Sequence, residues 1–155
     1  MKTILSCRPR VKGRERFREA SPLIEQLASR VAPENGLVEI NLVGERRISE
    51  LNRIYRRRAG APEILTFTYD SEPGRGRPQE DSLGEIFLCW PRLVAGAGRR
   101  RIPAKAYMLR LLAHGLCHMK GYRHDSGKGV LTMEGVEKKL LRGILTGDVI
   151  ARLFE

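Results

Sequence analysis

Residues 113–125 read Ala-His-Gly-Leu-Cys-His-Met-Lys-Gly-Tyr-Arg-His-Asp and hold every histidine of the chain, His114, His118 and His124. The first two are four apart, so both rings leave one face of a helix. Gly121 can take positive φ, which ends that helix and turns the chain back until His124 points at the same spot. From Pro103 to about Lys120 the sequence is apolar almost all round, with Ala106, Met108, Leu109, Leu112, Ala113, Leu116 and Cys117. A helix without a polar face is a buried, central one. Tyr107 and Leu111 share the histidine face and predict an apolar floor beneath the site.

Working outward, residues 2–6 predict a short strand. Ser21-Pro22 reads as a helix start, followed by Leu23, Ile24, Leu27, Ala28 and Val31 at helical spacing, with Pro33 as the stop. Residues 37–43 alternate as a half-buried strand, and Ile48, Leu51 and Tyr55 stripe a helix over about 45–57. Residues 63–69 and 83–89 are β-branched and aromatic runs that predict strands. Between them, 71–82 reads as a surface loop rich in Pro, Gly, Arg and acid. A short helix follows Pro91, and a last one spans roughly 128–145. Residues 8–18, with six basic side chains and one acid, read as an exposed arm or a strand edge. The expected class is α+β: a single-layer mixed sheet of about four strands packed with about five helices around the buried central helix. At 155 residues the chain fits one domain, expected to span 1–155.

No apolar run approaches the roughly 18–20 residues that cross a bilayer, and the apolar stretch at the N-terminus is too short for a signal peptide. Cys7, Cys89 and Cys117 are odd in number and widely spaced, which points to free thiols in a reducing cytosol. Lys and Arg number 29 against 18 Asp and Glu, a net charge of +11. A field of that sign attracts polyanions, nucleic acid before anionic membrane. Arg46, Arg47, Arg53, Arg56, Arg57 and Arg58 form one basic cluster, and Arg92, Arg99, Arg100, Arg101 and Lys105 another. Trp90 is the sole tryptophan, so backbone recognition is favoured over base stacking.

Three imidazoles converging at a helix end suit a borderline-soft divalent ion, zinc above all. Three protein ligands leave an open position, the mark of a catalytic zinc site, where the ion brings the pKa of water down to about 7. The histidines and the glycine match the His-Glu-x-x-His-x-x-Gly-x-x-His pattern of zinc proteases, except that Gly115 stands where those enzymes have their general-base Glu. The metal platform is shared, then, but peptide hydrolysis is disfavoured. Cys117 reads as a small buried hydrophobe rather than a ligand, and Glu85 as a strand residue rather than a cleft carboxylate.

The block His114-Gly-Leu-Cys-His118-Met-Lys-Gly-Tyr-Arg-His124 resembles the signature of the YbeY family, bacterial metal-dependent endoribonucleases also called rRNA maturation factors. Leu51-Asn52-Arg53-Ile54-Tyr55-Arg56, Pro62-Glu63-Ile64-Leu65-Thr66-Phe67 and Leu83-Gly84-Glu85-Ile86 resemble three further blocks of that family, in the same order. Three positions depart. Arg123 replaces an Asp before the third histidine, with Asp125 as candidate substitute, and Glu63 and Glu85 stand for Asp. The resemblance implies a zincin-like arrangement of the expected α+β fold and one Zn²⁺ per chain held by His114, His118 and His124. It implies single-stranded RNA as substrate and a cytoplasmic role in 16S rRNA 3′-end maturation and ribosome quality control, with the small ribosomal subunit as partner. It also implies that Arg56 reaches into the cleft as a catalytic residue, with Arg53 and Arg57 beside it on the substrate. An arginine there can grip a phosphate bidentately and offset developing charge. Two alternatives stay open: another zinc metallohydrolase acting on peptides or small phosphoesters, and a non-enzymatic ribosome-binding factor.

Overall fold

In the computed structural model, four strands make one mixed sheet in the order β1-β2-β4-β3: β1 (Lys2–Cys7), β2 (Leu37–Val43), β3 (Ile64–Thr68) and β4 (Ser82–Cys89). The structure describes residues 1–31, 36–69, 76, 78, 81–119 and 127–155. β1, β2 and β4 run parallel, and β3 closes one edge antiparallel to β4. The register aligns Leu5, Ile40, Ile86 and Thr66 in one row and Ile4, Glu39, Glu85 and Phe67 in the next. Because side chains alternate, these rows lie on opposite faces.

Seven helices lie among the described residues: α1 (Arg14–Glu19), α2 (Ser21–Val31), α3 (Glu45–Arg56), α4 (Trp90–Arg99), α5 (Ala104–Met119), α6 (Gly127–Leu141) and α7 (Gly147–Leu153). The α+β class and the four-stranded mixed sheet are as expected, with two helices more than the sequence indicated. Residues 8–18 are no arm: they carry α1, because Phe17 inserts into the core at 1% exposure. Gly13 starts α1 with φ 89, where a Cβ would lie 2.2 Å from the Trp90 ring, so only glycine fits. The predicted helix over 128–145 ends earlier, at Leu141, and Gly143 at φ 81 turns the chain toward α7. Arg30 of α2 donates to the carbonyls of Leu140 at 2.9 Å and Arg142 at 2.6 Å, placing a cation at the negative end of α6. The predicted loop over 71–82 lies mostly outside the described residues.

α5 is buried as its composition requires, with Met108, Leu109, Leu112, Ala113, Leu116 and Cys117 all at 0% exposure. Together with α2 it covers the face bearing Val38, Ile40, Leu42, Ile86 and Leu88. The opposite face is covered at its β3–β4 end by α3, whose Ile48 and Leu51 pack on Leu65, Phe67, Phe87 and Cys89. Burying each such Ile or Leu contributes roughly 1.5–3 kcal/mol, so both faces of the sheet matter to stability. No helix among the described residues is long and apolar enough to cross a membrane.

Candidate metal centre

His114 and His118 leave α5 on one face near its C-terminal end, as their spacing requires. Their rings stand edge to face, with centroids 4.7 Å apart and planes at 81°. The two Nε2 atoms approach to 3.2 Å. Two 2.0–2.1 Å zinc–nitrogen bonds at a near-tetrahedral angle bring their donors to about 3.3 Å, so the pair fits two ligands of one ion. The His114 side chain is 41% exposed. His124, with Gly121, Arg123 and Asp125, lies outside the described residues. Among the described residues no group of three His, Cys, Asp or Glu side chains stands ready for a metal.

The other edge of the His114 ring meets a residue that the sequence reading missed. Glu137 of α6 places Oε1 3.2 Å from His114 Nδ1. It is 2% exposed, one of the few buried polar side chains among the described residues. A signal was present: Met133, Glu137, Leu140 and Leu141 share one helical face, and the three apolar members are buried. A lone acid on an apolar stripe needs a partner.

Gly115 explains why the protease-type base is absent. A Cβ there would lie 2.8 Å from Thr66 Oγ1 and 3.2 Å from Ile86 Cδ1. This face of α5 is pressed against the sheet, and a glutamate has no room. Arg56 reaches the same strand from α3. Its Nη2 donates to the Thr66 carbonyl at 2.9 Å, and its guanidinium lies 4.5 Å over the Phe67 ring. Thr66 thus joins the helix that bears the histidines to the end of the helix that bears Arg56. Arg53 and Arg57 are exposed on the last turn and cap of α3, while Arg56 is half-buried.

Tyr107 does not floor the site. It turns toward α4 and donates its hydroxyl to Glu63 Oε2 at 2.5 Å. Burial, reinforced by that carboxylate, pushes its phenol up to about 12, so it stays a neutral donor. Cys117 is wholly buried, and burial pushes its thiol up to about 12, as for a small hydrophobe packed in the core. Glu85 is a strand residue, in register with Phe67 on the face that α3 shares, away from α5.

Comparison with known proteins agrees with this architecture. A family model described as Endoribonuclease YbeY matches residues 11–144. A protein of that name from Aromatoleum aromaticum is 31% identical over 121 residues, covering 78% of this chain and 74% of the relative. Another from Cupriavidus necator is 33% identical over 110 residues, 70% of this chain, although the chain spans only 52% of that relative's length. The solution structure of a Thermotoga maritima protein superposes with a TM-score of 0.56 at 21% identity, covering 89% of each chain, and so shares the fold. With the family model matched from α1's approach to the end of α6 and relatives of that name above 30% identity, the chain belongs to the Endoribonuclease YbeY family.

Proposed function

We propose that this endoribonuclease is zinc-dependent, cuts single-stranded RNA, and serves cytoplasmic maturation of 16S rRNA at its 3′ end and ribosome quality control on the small subunit. The observation that carries the zinc reading is the 3.2 Å approach of the His114 and His118 Nε2 atoms, with His114 Nδ1 engaged by Glu137 behind it. His124, six residues after His118, is the third ligand in this reading. Zinc held there supplies a Lewis acid and a hydrolytic water usable at neutral pH.

The chain's own residues supply the rest. The Arg56 guanidinium, steadied by Phe67 and Thr66, offers its planar fork to the scissile phosphate. Arg53 and Arg57, exposed beside it, hold the flanking backbone without reading sequence. A peptidase reading is disfavoured by the close contact at Gly115.

The test is metal analysis of freshly purified protein, paired with cleavage assays on single-stranded, duplex and 16S-precursor RNA. About one zinc per chain is expected in the wild type, lost with the single-strand cleavage in His118→Ala and His124→Ala. Chelator-stripped protein that cuts at the full rate would overturn zinc dependence. Casein hydrolysis abolished by His118→Ala, without RNA cleavage, would make the protein a peptidase.

A further inference from the structure

We propose that Glu137 is the positioning residue of the metal centre: it selects the Nδ1–H tautomer of His114 and aims the ring so that Nε2 faces His118. The inference rests on the zinc reading above and assigns to α6 a part in it that the histidine block does not contain.

Three observations combine. Glu137 is 2% exposed, and a carboxylate so buried persists only where hydrogen bonds compensate it. Its Oε1 lies 3.2 Å from His114 Nδ1. A carboxyl oxygen accepting at that distance pairs with an Nδ1–H, and in a neutral imidazole that tautomer leaves the lone pair on Nε2. Nε2 is the atom 3.2 Å from its counterpart on His118. The geometry therefore places the acid at the rear of the ring and the lone pair at the front, the arrangement in which a carboxylate orients a metal-binding imidazole.

The support is rigid. Met133, Leu140 and Leu141 flank Glu137 on the buried face of α6, and Arg30 ties the end of that helix to α2. The carboxylate is thus carried by a packed helix, separate in sequence from the residue it orients.

The experiment compares the wild type with Glu137→Gln and Glu137→Ala. Long-range ¹H–¹⁵N spectra of the imidazoles in metal-free protein read the tautomer, and competition with a chromogenic chelator reads the zinc Kd. The wild type is expected to show His114 protonated at Nδ1. Glu137→Ala is expected to lose that tautomer preference and bind zinc about 10–100-fold more weakly. Glu137→Gln, whose amide oxygen still accepts, is expected to keep the Nδ1–H tautomer and lose less affinity than the alanine variant. A wild-type His114 protonated at Nε2 would overturn the proposal. So would a folded Glu137→Ala with unchanged tautomer and a Kd within twofold of the wild type. If Glu137→Ala does not fold, Glu137→Met, which fills the buried position without an oxygen acceptor, takes its place, and an unchanged tautomer with a zinc Kd within twofold of the wild type overturns the proposal. Wild-type protein that binds no zinc would remove the metal reading, while the tautomer comparison still decides the role of Glu137.

Discussion

Arg56 shows how much one side chain's surroundings add to its residue type. In sequence it is one of four arginines between positions 53 and 58, and nothing in that run separates it from its neighbours. In the fold it alone of Arg53, Arg56 and Arg57 is half-buried, stacked on Phe67 and hydrogen-bonded to Thr66. Phe67 is itself held edge to face between Tyr55 and Phe87. A cation–π contact contributes from about 0.5–1 kcal/mol when exposed to about 2 kcal/mol when desolvated, so losing this half-buried one costs a modest amount of stability. Its effect on cleavage is expected to be larger. Arg56→Ala should slow single-turnover RNA cleavage by about 10²–10³, the usual effect of removing one donor from a developing charge. Arg56→Lys restores charge without the planar fork, so it should recover only part of that loss. Wild-type cleavage rates in both variants would remove Arg56 from the chemistry.

At the level of helices and strands, the contact between α4 and α5 turns on small residues. Glu63, at the head of β3, reaches between them to Tyr107 and lies 3.5 Å from Arg99. A Cβ at Gly96 would come within 2.0 Å of the Glu63 carboxylate and 2.8 Å of the Tyr107 ring. Two residues on, a Cβ at Gly98 would meet nothing within 4 Å. Gly96→Ala should therefore destabilise the protein by about 1–3 kcal/mol through overpacking. Gly98→Ala should stabilise it by about 0.4–1 kcal/mol, since alanine restricts the unfolded chain and suits a helix. Urea denaturation of both variants checks the pair, and equal effects would contradict the packing described. The same scale explains what was legible. α5 could be read at full length because its apolar surface runs all round. α1 could not, because six residues carrying one buried side chain leave no period to detect. The end of α6 was overrun because Leu140, Leu141, Ile144 and Leu145 keep a helical spacing across the turn at Gly143.

For the whole molecule, the excess of +11 charges governs association with a polyanion. RNA affinity should fall steeply with salt, log Kd rising with log salt by about 0.7 for each phosphate neutralised on a single strand. Replacing Arg53 and Arg57 together by alanine should lower that slope by about 1–1.5 while leaving cleavage of saturating RNA nearly intact. Fluorescence anisotropy between about 50 and 300 mM salt covers the range in which such contacts lose most of their affinity. A slope indifferent to these arginines would move the RNA path elsewhere on the surface. The reading of the chain divides along a physical line. Periodicity and turn residues report what lies within one element, and they were enough for the α+β class, the places of the four strands along the chain, the buried helix and the shared face of His114 and His118, but not for the β1-β2-β4-β3 order of the sheet. They are silent on which distant element comes to rest against that face. Glu137 behind His114, Thr66 against Gly115, and α3 laid on the opposite side of the sheet from α5 all depend on long-range packing. That packing is set by the combined burial of many side chains, and no local pattern encodes it.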